Sequence, residues 1–187
     1  MTDIRPLIPR QRVPQLAVPL VGGGRFNIVS EAFERFTMIV FYRGLHCPIC
    51  KTQLGDLEVK LPDFAKRGVS VIALSSDAAE RAERSKQEWR LSNLRLGYGL
   101  DLHVARSWGL YVSTGLGLTA TGVEEPALFS EPGIFLVRPD RTRYFSSVQT
   151  MPFARPHFAD ILGALDFVIA KNYPARGEVV ALSAAAA

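Results

Sequence analysis

Two short apolar runs, Thr37 to Tyr42 and Val69 to Leu74, constrain this chain more than any other feature. Neither follows the strict apolar–polar alternation of a half-exposed strand. Each reads as a strand buried on both faces, the pattern of a parallel sheet. Between them Leu54, Leu57, Leu61 and Phe64 recur at spacings of three and four, which is the buried stripe of an amphipathic helix. Pro48 is suited to the first helical position and Gly68 to the C-terminal stop. Pro62 either kinks this helix or restarts it. Parallel strands joined through a helix form a βαβ unit with a crossover connection.

The later sequence completes the sheet. Asp77 with Glu80 predicts an N-cap for a second helix running to about Leu91. Ser92 to Glu131 carries weaker signals: a short strand at Leu96–Tyr98, a short helix at Asp101–Trp108, and a loop from Gly115 to Pro126. Gly133–Arg138 and Arg143–Val148 flank Pro139-Asp140-Arg141 and predict a hairpin. Pro156 opens a closing helix with Phe158, Ile161, Leu162, Leu165, Val168 and Ile169 on one face, and Pro174 ends it. Upstream, Leu16–Leu20 and Phe26–Val29 flank a turn at Gly22–Gly24, and Ser30–Arg35 suits one helical turn. Residues 1–15 form an arm on the surface, 92–131 an insertion and 174–187 a tail. No internal repeat is present. The expectation is an α/β domain with one sheet and helices on both faces.

Composition narrows the function classes. A single core in a chain of 187 residues buries about 70% of the unfolded surface, so no metal or disulfide is needed to hold it. Hydrophobic residues at 48% and charged residues at 21% exclude wholesale disorder. No apolar run reaches the ~18–20 residues of a membrane span; Asp166 interrupts Ile161–Ala170. Arg5, Pro6, Pro9, Arg10, Arg12 and Pro14 break any apolar signal-peptide core. The expectation is a cytoplasmic protein with no membrane partner. The net charge of +4 permits nucleic-acid binding, but the arginines are dispersed without interleaved aromatics. A solvated basic surface is the simpler reading, and no nucleic-acid partner is expected.

The only cysteines, Cys47 and Cys50, stand in His46-Cys47-Pro48-Ile49-Cys50. This pattern places two thiols beyond the end of a buried parallel strand, in the first turn of a helix. Sites in open α/β sheets favour that edge. The helix N-terminus offers unpaired N–H groups and positive potential, which favour thiolate over thiol. His46 and Arg43 are candidates to add to that effect. A thiolate so placed attacks an electrophile, and its neighbour resolves the product as a disulfide. A zinc site would require more short-spaced ligands than His46, His103 and His157 supply. A structural disulfide would close a very small loop, and an incidental apolar pair fits Pro48 poorly. Redox chemistry with no cofactor and no metal carries the most weight. Tyr42 reads as packing, Trp89 and Trp108 as core or interface anchors, and His103 and His157 as surface residues.

Phe41-Tyr42-Arg43-Gly44-Leu45-His46-Cys47-Pro48-Ile49-Cys50, with Val71-Ile72-Ala73-Leu74-Ser75-Ser76-Asp77, resembles the peroxiredoxin-like branch of the AhpC/TSA family, within the thioredoxin-fold superfamily. The resemblance covers about Leu16 to Asn172. It implies a thioredoxin-like fold, with a central mixed sheet flanked by helices and an insertion before the final hairpin. It also implies reduction of peroxides or protein disulfides, a cellular dithiol electron donor, and often a homodimer. In the peroxiredoxin pattern Cys50 takes the peroxidatic position, Cys47 replaces a Thr or Ser, and Arg43 replaces a Pro. The distant peroxide-holding Arg aligns near Pro132, so Arg43 or Arg138 would have to substitute. In the thioredoxin pattern Cys47 is the exposed attacker and Cys50 the resolver. Pro132 then takes the place of the cis-proline that faces the dithiol, an ordinary turn proline being the other reading. The buried acid of thioredoxins would fall near Phe41, which is apolar. A redox sensor or binding module without turnover is the rival class.

Overall fold

The computed structural model describes residues 4–31 and 33–181. In chain order the elements are β1 (Ala17–Pro19), β2 (Arg25–Asn27), β3 (Phe36–Phe41), α1 (Pro48–Lys66), β4 (Val69–Leu74), α2 (Ala79–Glu88) and β5 (Arg95–Gly97). They continue with α3 (Leu102–Ser107), β6 (Val112–Thr114), β7 (Leu128–Ser130), β8 (Gly133–Val137), β9 (Arg143–Val148) and α4 (Phe158–Lys171). The central sheet has the order β5-β4-β3-β8-β9. β3 is parallel to β4 and antiparallel to β8, while β4 is parallel to β5 and β8 antiparallel to β9. This is the mixed sheet of a thioredoxin-like fold.

Strand geometry divides the core in two. Met38, Val40, Val71, Ala73, Ile134 and Leu136 face α1, α2 and α4. Their neighbours Ile39, Phe41, Ile72, Leu74, Phe135 and Val137 face β1, β2, α3 and Trp108. Successive side chains on a strand point to opposite faces, so a strand covered on both sides must be apolar throughout. Every residue of β3 is buried.

Several boundaries and roles differ from the sequence reading. Helix α1 runs unbroken through Pro62, which stands on its exposed side. Asp77 is not a cap. Ala78 precedes α2 without a side-chain cap bond, and Asp77 is buried with its carboxylate turned toward the α1 entry loop. Within residues 92–131 the expected short strand and helix are present as β5 and α3, and β5 pairs with β4 at the edge of the central sheet. Strands β6 and β7 pair across the Gly115–Pro126 loop. No helical turn forms among the described residues of Ser30–Arg35, of which Ala32 lies outside the description. Residues 1–3 of the arm and 182–187 of the tail also lie outside it. Helix α4 starts two residues after Pro156. The arm lies on the surface and continues the sheet edge: Arg10 and Val13 donate backbone N–H groups to Arg143 and Arg141 of the β9 side, and Arg143 donates to Gln11.

Candidate active site

The segment between β3 and α1 is held by one buried carboxylate. Asp77 Oδ2 accepts the Leu45 N–H at 2.7 Å, and Oδ1 accepts Arg81 Nε at 2.8 Å. Gly44 turns there with φ +132°, and an added Cβ would lie 2.7 Å from the Asp77 carboxylate. Only glycine fits both the torsion and the space.

This turn delivers Cys47 to the N-cap of α1, with Pro48 behind it in the first turn. The Cys47 sulfur accepts the Cys50 N–H at 3.3 Å, the role a Ser or Asp oxygen usually fills. Cys50 Sγ accepts the Arg43 N–H at 3.4 Å. Both thiols are free. Arg155, in the loop before α4, covers the pair. Its Nη2 lies 3.3 Å from Cys50 Sγ and 3.8 Å from Cys47 Sγ, while its Nη1 bonds the Gln53 side chain.

The two sulfurs titrate in opposite directions. A hydrogen bond from the Cys50 thiol lowers Cys47 most, to about 6, with Arg155 and Arg43 adding to it against the effect of burial. Burial pushes Cys50 well up, and the neighbouring Cys47 reinforces that. The arrangement holds one negative charge on Cys47 and one proton on Cys50 near neutral pH.

The sequence-predicted residues come together unevenly. Cys47 is not an exposed attacker: it is 1% exposed and Cys50 0%, both within the first core with Arg155 against the sulfurs. The Arg43 guanidinium turns away to Glu131 at 3.3 Å and Glu125 at 3.5 Å, above the Phe129 ring. His46 is buried against Phe129, with Nε2 3.8 Å from Glu125. Burial, then Arg43, lowers it to about 4, so it is neutral and brings no cation to the thiolate. Pro132 lines a crevice with Phe41, Gln53 and Arg155, but its peptide bond is trans. The Glu131 N–H donates to the Tyr111 carbonyl and the Pro132 carbonyl accepts from the Gln149 N–H, which ties this segment to both neighbouring strands. Arg138 stacks on Phe36 and Tyr144 at the opposite end of β3. His103 and His157 are exposed. Trp89 and Trp108 are core residues, and Tyr42 packs edge-on against Trp89. No group of three or more His, Cys, Asp or Glu is placed to hold a metal among the described residues.

Arg155 is the site residue that sequence reading missed. It lies 108 positions from Cys47, and nothing local distinguishes it from the other arginines. A cleft of about 760 Å³ opens beside it between α1 and the loop preceding α4, lined by Ile49, Gln53, Phe153, Arg155 and His157.

The mixed sheet and its flanking helices form a thioredoxin-like fold, with a cysteine capping the first helix after the central strand. The chain belongs to the AhpC/TSA family, whose profile matches residues 9–142. A probable 1-Cys peroxiredoxin from Syntrichia ruralis is 33% identical over 57 residues, which is 30% of this chain and 26% of that protein. Peroxiredoxin 6 of Arenicola marina superposes with a TM-score of 0.69 at 20% identity, over 89% of this chain and 75% of its own. Peroxiredoxin Q of Xanthomonas campestris gives 0.64 at 21%, over 81% and 90%.

Proposed function

We propose that this protein is a thiol oxidoreductase in which Cys47 and Cys50 cycle between dithiol and disulfide while reducing peroxides or protein disulfides. The observation that carries this reading is the paired arrangement of the sulfurs. Cys47 at the helix tip is held as thiolate by the Cys50 thiol, the Cys50 N–H and Arg155. Its resolving partner is in place one turn away.

With a hydroperoxide, the Cys47 thiolate attacks the outer oxygen and the O–O bond breaks. The alkoxide or hydroxide released takes a proton and leaves as alcohol or water. Cys47 is now a sulfenic acid. Cys50 attacks that sulfur, its proton leaves with the hydroxyl as water, and the disulfide closes. With a protein disulfide, Cys47 attacks one sulfur and Cys50 then displaces the substrate as a dithiol. In either case a cellular dithiol donor is oxidised to restore the pair. Both routes require the Arg155 side chain to swing aside, and the cleft beside Gln53 is the approach.

The burial of both sulfurs favours a second reading, a redox sensor without turnover. Trapping and turnover separate the two. After a peroxide pulse, Cys50→Ser should carry a sulfenic-acid adduct on Cys47, and Cys47→Ser should carry none. The wild-type chain should turn over a peroxide or a disulfide substrate with a dithiol donor, and the double variant should not. Adduct formation without turnover on either substrate would leave the sensor. An adduct on Cys50 alone would overturn the assignment of Cys47 as attacker.

A further inference from the structure

The face of the sheet remote from the cysteines carries a second polar feature. The β8–β9 ladder shifts register between Leu136 and Val137, so that Phe145 opposes Leu136 but Arg143 opposes Val137. Tyr144 is the extra residue, and it packs against Phe36 on the dithiol side. The bulge thereby returns Arg143 to the opposite face, beside Ser146. Strict alternation would have placed those two residues on different faces. Bulges re-aim side chains in this way.

Arg143 opens into a cavity of about 230 Å³ between the N-terminal arm, the corner after α3, and β8–β9. Its apolar walls include Leu7, Trp108, Phe135 and Val148. Arg143 Nη1 donates to Ser146 Oγ at 2.7 Å. The guanidinium forms no ion pair among the described residues, and burial alone acts on its titration, downward. Its Nε is buried without an acceptor, as is the indole N–H of fully buried Trp108. A half-buried guanidinium with no counter-charge is costly unless an anion neutralises it.

We infer that this cavity is a binding site for a small organic carboxylate, its anion on Arg143 and its ring or short chain against Leu7, Phe135 and Val148. The volume is below the ~300 Å³ lower bound of drug-sized sites, which limits the ligand to a compact one. The apolar walls favour an organic anion over an inorganic one. The site draws on the second core and not on the cysteines, so it stands independently of the redox reading.

Proton–nitrogen NMR of the reduced full-length chain tests this, with benzoate as probe and benzamide and inorganic phosphate as controls. Trp108 gives one of two indole N–H resonances, assigned by its loss in Trp108→Phe. Benzoate should shift it saturably, and both controls should bind at least tenfold more weakly. Arg143→Met should weaken benzoate at least tenfold, while Cys47→Ser should leave it unchanged. If Arg143→Met does not fold, Val148→Phe, which fills the cavity, is expected to cause a comparable loss. No saturable shift, equal binding of either control, or unchanged affinity in a folded Arg143→Met or Val148→Phe would overturn the site.

Discussion

Cys47 and Cys50 have the same chemistry in isolation, and their surroundings make them unequal. Both sulfurs are buried and both lie near Arg155, but Cys47 is favoured as thiolate by the Cys50 thiol and N–H, whereas burial dominates at Cys50. Arg155 both stabilises the thiolate and blocks the way to it, and its removal should separate these effects. In Arg155→Met the midpoint of the pH profile of iodoacetamide alkylation should rise from about 6 by roughly one unit, and the plateau rate should increase as the cover is lost. An unchanged midpoint would show that Arg155 does not act on the thiolate. His46 affords a second test. Its folded-state value of about 4 lies below the ordinary 6.5, so between those limits the unfolded chain binds a proton that the folded chain refuses. Stability therefore falls as pH drops from about 6.5 toward 4 and is unaffected by His46 above that window. The loss reaches about 3 kcal/mol. Urea unfolding at pH 7 and 4.5 should show a smaller difference in His46→Asn than in wild type.

The entry to α1 depends on two separate elements, since Gly44 precedes the helix and Asp77 follows β4. Gly44→Ala forces a disfavoured torsion and a clash with the Asp77 carboxylate, and should cost on the order of 2–3 kcal/mol by chemical denaturation. It should also raise the alkylation midpoint of Cys47, because the helix tip shifts. Denaturation and alkylation both matching wild type would show that the turn is not held as described. The periodicity of α1 and the apolar runs of β3 and β4 made these elements legible. The short strands β6 and β7 were not legible, because three residues give no period and their pairing is set by partners on either side of a loop. Asp77 looked like a cap because the Asp-x-x-Glu pattern is local, whereas its actual donors come from Leu45 and Arg81.

For the molecule as a whole, the N-terminal arm protects the sheet. Backbone bonds from Arg10 and Val13 occupy part of the β9 edge, and Leu7 and Val13 pack against the second core. Deleting residues 1–15 should expose that edge and apolar surface, giving a lower melting temperature and concentration-dependent association in sedimentation velocity. A truncated chain that stays monodisperse with an unchanged melting temperature would contradict this role. The same deletion removes Leu7 from the carboxylate cavity, so benzoate binding should weaken with it.

The sequence alone determined the βαβ unit, the hairpin and closing helix after it, and the position of two thiols at a helix start. These follow from side-chain periodicity and from the backbone preferences of Pro and Gly, which act over a few residues. Tertiary structure alone decided which cation meets the sulfurs, that His46 is neutral, that Pro132 is trans, and that Arg143 faces a cavity. Each of these is an electrostatic or packing relation between segments distant along the chain. Their energies depend on distance and burial, quantities that exist only once the sheet has brought those segments together.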